Sequence, residues 1–101
     1  MEKHKPHYSL DKIKSVAADV NRLEITVSAM LGAAALGFGR ENIVKTIQGI
    51  SSKHFYKSMT SFANSSIWQD VYRVPSEVGT LYIKFTAGTI TEFLLLSFKE
   101  K

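Results

Sequence analysis

The chain has 101 residues, 45% of them apolar and 22% charged, the usage of one ordinary folded domain. Thirteen Lys and Arg against nine Asp and Glu leave a formal charge of +4, a basic excess that favours encounter with polyanions and says nothing of fold. The absence of cysteine excludes a disulfide framework, a thiolate nucleophile and any cysteine-ligated zinc or iron–sulfur centre.

The longest run without a polar side chain, Ala29–Gly39, is about half the ~20 residues of a spanning helix. Met1–Tyr8 carries charge with no apolar run behind it, so no secretory leader is expected and a soluble, cytoplasmic domain is. Ser9 is placed to cap a first helix, in which Ile13, Val16, Ala17 and Val20 recur at helical spacing as one apolar stripe. A second helix is expected from Thr26 or Ser28 through Met30, Leu31, Ala33–Ala35 and Leu36, ended by Gly37 and Gly39. A third spans Arg40–Gln48 with Ile43, Val44 and Ile47 inward, and Gly49 stops it. Ser51 or Ser52 then caps a short fourth turn that carries Phe55, Tyr56 and Met59.

After Asn64 the period changes. Trp68–Val74 is β-branched and aromatic, with Pro75 as a strand stop. Leu81, Ile83 and Phe85 alternate with Thr80, Tyr82, Lys84 and Thr86, the pattern of a half-buried strand. Phe93–Phe98 is apolar on both parities and reads as a central strand. Connections this short favour an antiparallel meander. Helices first and strands last give the α+β class: N-terminal helices packed on a C-terminal antiparallel sheet, in a single domain over 1–101. A three-stranded meander leaves an open edge, expected along Val78–Gly88, where a partner could add a strand.

Between Asn42 and Ser76 the only acid is Asp70, set against Lys45, Lys53, Lys57, Arg73 and His54 and interleaved with Phe55, Tyr56, Phe62, Trp68 and Tyr72. Cations hold phosphate and aromatics stack on unpaired bases, so the stretch suits single-stranded nucleic acid. A solvated basic rim around core aromatics fits the same composition. Strand parity places Gln69 and Arg73 on one face of their strand and Tyr82 and Lys84 on the polar face of the next. For each of these taken singly, plain exposure also accounts for it. Other constellations fail. His4 and His7 are separated by Pro6 and have no third ligand, His54 has no Ser or Asp partner, and Thr86–Thr91 is a turn rather than a phosphate loop. No paired carboxylates stand at acid/base spacing, and no helix-turn-helix with a basic recognition helix is present. An enzyme here works with no metal and no cofactor.

Four segments then carry a specific likeness. Phe55-Tyr-Lys-Ser-Met-Thr60, Ile67-Trp-Gln-Asp-Val-Tyr-Arg73, Leu81-Tyr-Ile-Lys84 and Ser97-Phe-Lys-Glu-Lys101 resemble, in order and spacing, the MqsR family of toxin mRNA interferases. The likeness reaches back to Pro6-His7 and the helix around Ser28–Leu36, and is poorest at Ala87–Glu92, where this chain is longer. The resemblance implies a RelE/YoeB-like fold and a type II toxin that cuts mRNA at GCU-type sites without a metal. It also implies an MqsA-like antitoxin with a zinc-binding domain and a helix-turn-helix domain, through which alone DNA is bound. The family's activity-linked positions fall on Lys57, Gln69, Tyr82 and Lys99. Arg73 joins them on charge and parity, and Tyr56 and Lys84 complete the expected RNA-binding surface.

RNA carries its own nucleophile, the 2′-hydroxyl, so positioning, proton transfer and charge stabilisation suffice for cleavage. With neither His nor carboxylate in this set, Lys57 is expected as base or phosphate ligand, Tyr82 as proton donor, Arg73 and Lys99 as phosphate clamps, and Gln69 as orienting group. An ordinary lysine titrates near ~10.4, too high for a base at neutral pH. Neighbouring cations such as Arg73 or Lys99 are expected to lower that value. The alternative function is a module that binds RNA or protein without cutting.

Overall fold

In a computed structural model of the chain, which describes residues 1–19 and 22–97, the helix signals act where the sequence puts them. Ser9 Oγ accepts the Lys12 N–H at 3.3 Å and starts α1, Leu10–Ala17, with Ile13 and Ala17 buried. Val20, expected at the end of that stripe, lies outside the described residues. Thr26 Oγ1 accepts the Ala29 N–H at 3.1 Å and starts α2, Val27–Ala34. Its end is a left-handed stop at Gly37, φ 77°, where Phe38 N–H donates to Ala33 O and Gly37 N–H to Ala34 O, both at 2.9 Å. α3 is Arg40–Gln48, with Ile43 and Ile47 buried and Gly49 after it.

The fourth helical turn is not what forms. A single 3₁₀ turn, Ser52–His54, gives way at once to a strand, β3, over Phe55–Thr60. The spacing of Phe55, Tyr56 and Met59 suits a short helix, but the segment finds partners on both sides of it, and pairing decides. The partners are β4, Trp68–Ser76, and a two-residue strand at the N-terminus, β1, Glu2–Lys3, opposite Met59 and Ser58. β4 continues through Pro75, beyond the end of its ladder with β3 at Tyr72. β5, Gly79–Thr86, buries Leu81, Ile83 and Phe85 as its alternation requires. β6, Thr89–Ser97, pairs with β5 on one side and, in parallel, with the two-residue β2, Glu24–Ile25, on the other.

Among the described residues the sheet therefore has six strands in the order β1-β3-β4-β5-β6-β2. The class is α+β, as the sequence indicates. Two expectations change. β6 is not central but stands one place from the edge, and β5, the expected open edge, lies between β4 and β6 with both sides paired.

One face of the sheet carries Tyr72, Val74, Leu81, Ile83, Phe85, Ile90 and Phe93, which form the core with Ile13, Ala17, Ala29, Ala33, Ile43, Ile47 and Ile50. Phe55, Tyr72 and Phe85 stack edge-to-face across β3, β4 and β5 at centroid distances of 5.5 and 5.9 Å. α2 lies so close to β6 that a Cβ on Gly32 would stand 2.0 Å from Phe93 O. The N-terminal segment is tied down by Asp70, which is fully buried in β4. Its carboxylate accepts the His7 N–H at 3.0 Å on both oxygens and the Tyr8 N–H at 2.9 Å. With helices and core on one face, the other is left to the polar parity of the strands.

Candidate active site

Register fixes what meets on that outer face. Lys57, Val71, Lys84 and Glu92 stand opposite one another across β3, β4, β5 and β6. The neighbouring row holds Arg73, Tyr82 and Leu94. Tyr56 reaches this row because β3 shifts register between Phe55 and Lys57. Arg73 lays its guanidinium 3.6 Å from the centre of the Tyr56 ring, and the Lys57 ammonium is 5.2 Å from the same ring. On the other side of the Lys57 row, Glu2 and Met59 face each other, and Met59 faces Gln69. Val71 shows the effect of this crowding. It lies outside the core cluster on the polar face, yet is 0% exposed, set between Lys57 and Lys84 in its row.

Two carboxylates enter the face that the sequence did not assign to it. Glu2 Oε2 accepts from Lys57 Nζ at 2.7 Å, and Glu92 Oε1 pairs with Lys84 Nζ at 3.1 Å. The Glu2 contact reverses the expected titration of Lys57. The hydrogen bond and the charge of Glu2 hold the ammonium above the usual lysine value, and the Tyr56 and Tyr82 phenols add to this. Lys57 is therefore kept as a cation, which suits a phosphate ligand and not a base. Glu2 moves the other way: hydrogen bonding from Lys57, then its charge, pulls the carboxyl below the ordinary glutamate value. Lys84 has its charge already engaged by Glu92 and its ammonium 5.7 Å from the Tyr82 ring centre.

Gln69 stands apart from Tyr82. It is four residues from Arg73 along β4, about 13 Å of extended chain, and its Oε1 accepts the Thr91 hydroxyl at 2.8 Å. Of the expected site residues, Arg73, Tyr82, Tyr56 and Lys57 come together, Lys84 flanks them, and Gln69 occupies the far end of the same face. Lys99 lies outside the described residues. Two clefts of the described surface lie away from this face: one of about 540 Å³ along α3 between Arg40 and Gln48, another of about 260 Å³ between α1 and the β5–β6 turn. An open, charged and aromatic sheet face is a surface for an extended polymer rather than an enclosed small molecule.

Comparison with known proteins identifies the family of the sequence. Residues 5–100 match the profile of the family described as motility quorum-sensing regulator, toxin of MqsA. The chain belongs to the MqsR toxin family. It is 41% identical over 101 residues to the mRNA interferase toxin MqsR of Escherichia coli (strain K12), covering the whole of both chains. In this MqsR-family chain no helix of the described residues is long and apolar enough to cross a membrane. Nor do three or more His, Asp or Glu side chains of the described residues converge as a metal site would require.

Of the two carboxylates that sequence reasoning missed on this face, Glu92 and Glu2, the second left the fainter signal. A two-residue strand has no periodicity to read, and its partner Lys57 is distant in the chain. Nothing short of the β1–β3 pairing brings them together.

Proposed function

We propose that this single domain is an mRNA interferase: an endoribonuclease that cleaves mRNA by attack of the substrate 2′-hydroxyl on the adjacent phosphodiester, without a metal, and so inhibits translation. The observation that carries the reading is the cross-strand cluster of Lys57, Arg73, Tyr56 and Tyr82 on the face of the sheet opposite the core. Lys57 and Arg73 hold the scissile phosphate and stabilise the charge that builds on it. Tyr82 donates the proton to the leaving 5′-oxygen, a role open to a phenol. Tyr56, backed by the Arg73 guanidinium, offers a base-stacking platform. Gln69, at the far end of the face, orients the RNA through a neighbouring nucleotide, and Lys99 adds a second phosphate clamp. Lys84 contributes to RNA binding beside Tyr82.

The E. coli relative's name as an mRNA interferase toxin supports the same reading. By the same likeness we assign GCU-type cleavage sites, a cytoplasmic setting and an MqsA-like antitoxin with zinc-binding and helix-turn-helix domains. The test is purified protein with mRNA in EDTA. Wild type cuts, while Lys57→Ala, Gln69→Ala, Tyr82→Phe and Lys99→Ala each melt near wild type and lose cleavage, Tyr82→Phe by about 10²-fold or more. RNA that is retarded but intact would instead make the protein a binding module.

A further inference from the structure

Cleavage by a 2′-hydroxyl needs a group that takes its proton, and the cluster just described lacks one. Lys57 is held as an ammonium, Arg73 and Lys84 are cations, and Gln69 is an amide. We propose that Glu2 is the general base of this face, the group that removes the proton from the attacking 2′-hydroxyl. The proposal rests on the RNA-cleaving reading of the same site.

Three observations carry it. First, Glu2 touches the residue that binds the phosphate: its Oε2 is 2.7 Å from Lys57 Nζ. An ammonium has three N–H donors, so Lys57 can give one to Glu2 and the others to oxygens of the scissile phosphate. That sets the carboxylate beside the ribose whose 2′-oxygen attacks. Second, the carboxylate is available. Its side chain is 50% exposed, and the hydrogen bond and charge of Lys57, then the N-terminal ammonium and His4, keep it ionised; the basicity this costs is regained in part when a phosphate brings its negative charge to Lys57. The other carboxylate of the face, Glu92, lies across Lys84 on β6 and belongs to the flank of the proton donor. Third, the flanks are opposed. Strand order puts Glu2 on the β1 side of Lys57 and Tyr82 on the β5 side, with β4 and Arg73 between; three strand spacings and two rows separate their backbones, so the side chains meet one phosphate only by leaning inward, as Glu2 already does onto Lys57. In-line displacement requires its proton acceptor and proton donor on opposite sides of the phosphorus.

The step balances within the chain. A Glu2 oxygen takes the 2′ proton, the 2′-oxygen bonds to phosphorus, the P–O5′ bond breaks, and the 5′-oxygen takes the Tyr82 proton. The products are a 2′,3′-cyclic phosphate and a 5′-hydroxyl. The proton on Glu2 then returns through water to the Tyr82 phenolate, which restores both groups.

The experiment is steady-state cleavage of a defined single-stranded RNA by wild type, Glu2→Gln, Glu2→Ala and Tyr82→Phe. Glu2→Gln keeps the size and an acceptor oxygen for Lys57, so it folds, and kcat falls roughly 10²–10⁴-fold. KM for the RNA stays within about threefold. Glu2→Ala loses the same activity and regains part of it when formate is added, a rescue that a structural role would not show. Wild-type kcat in Glu2→Gln, or a lower KM at unchanged kcat, would overturn the proposal and make Glu2 a mere competitor for Lys57. A Glu2→Ala loss without rescue by formate would also overturn it. An active Glu2→Gln beside an inactive Tyr82→Phe defeats Glu2 alone, whereas a wild type that cuts nothing defeats the cleavage reading and this proposal together.

Discussion

Asp70→Asn is a small change with a large expected cost. Asp70 is 0% exposed, and its carboxylate serves two backbone donors, His7 N–H at 3.0 Å to each oxygen and Tyr8 N–H at 2.9 Å. Asparagine with its oxygen at the Oδ2 position still accepts from both N–H groups, but without the charge that strengthened those bonds. Its NH₂ then replaces Oδ1, 3.0 Å from the His7 N–H, donor against donor, and a buried unpaired donor costs about 1–3 kcal/mol. Adding the lost charge assistance, roughly 1 kcal/mol, gives a destabilisation of about 3 kcal/mol. At about 4–8 °C per kcal/mol for a domain near this size, the melting temperature should fall by roughly 12–24 °C. Circular dichroism melts measure this, and amide exchange at His7 and Tyr8 should quicken together. A melting temperature within about 3 °C of wild type would refute the view that Asp70 anchors the N-terminal segment, since it would put the loss below about 1 kcal/mol. The anchor matters for the site because β1, which carries Glu2, hangs from the same segment.

Two more outcomes follow from the packing. Gly32→Ala gains helix propensity but places a Cβ 2.0 Å from Phe93 O, so α2 and β6 must part by about an ångström. Chemical denaturation should show a net loss of about 2 kcal/mol or more, and an unchanged midpoint would mean that α2 does not seat on β6 this closely. The Tyr72 phenol is pushed up to about 12, first by burial and then by the Asp70 carboxylate. In the unfolded chain it ionises near its ordinary value of ~10, so the folded form binds more protons in between and stability falls as pH rises across that window. Tyr72→Phe should flatten that fall in alkaline melts.

The helices were legible because their signals are local. Ser9 and Thr26 cap within three residues, Gly37 turns left-handed where the apolar run ends, and Gly49 closes α3. β5 was legible because alternation and burial agree along its whole length. β3 was not, since Phe55, Tyr56 and Met59 fit a helical turn, and only β1 and β4 decide otherwise. β6 is apolar on both parities, which suggested a central strand. Instead Phe93 faces the core and Leu94 stands opposite Tyr82 on the outer face. The site was half legible. Parity alone put Arg73 and Tyr82 on polar faces, and register joined them. Glu2 and the upward shift of Lys57 depend on a contact between distant segments that no local pattern encodes.

The most direct measurement is the end chemistry of the cut RNA. Purified protein is incubated with single-stranded mRNA in EDTA, and the fragments are read by mass spectrometry. Cleavage by the 2′-hydroxyl without a metal, as proposed, leaves a 2′,3′-cyclic phosphate on one fragment and a 5′-hydroxyl on the other. Intact RNA, cutting only after Mg²⁺ or Mn²⁺ is restored, or 5′-phosphate ends left by attacking water would contradict it.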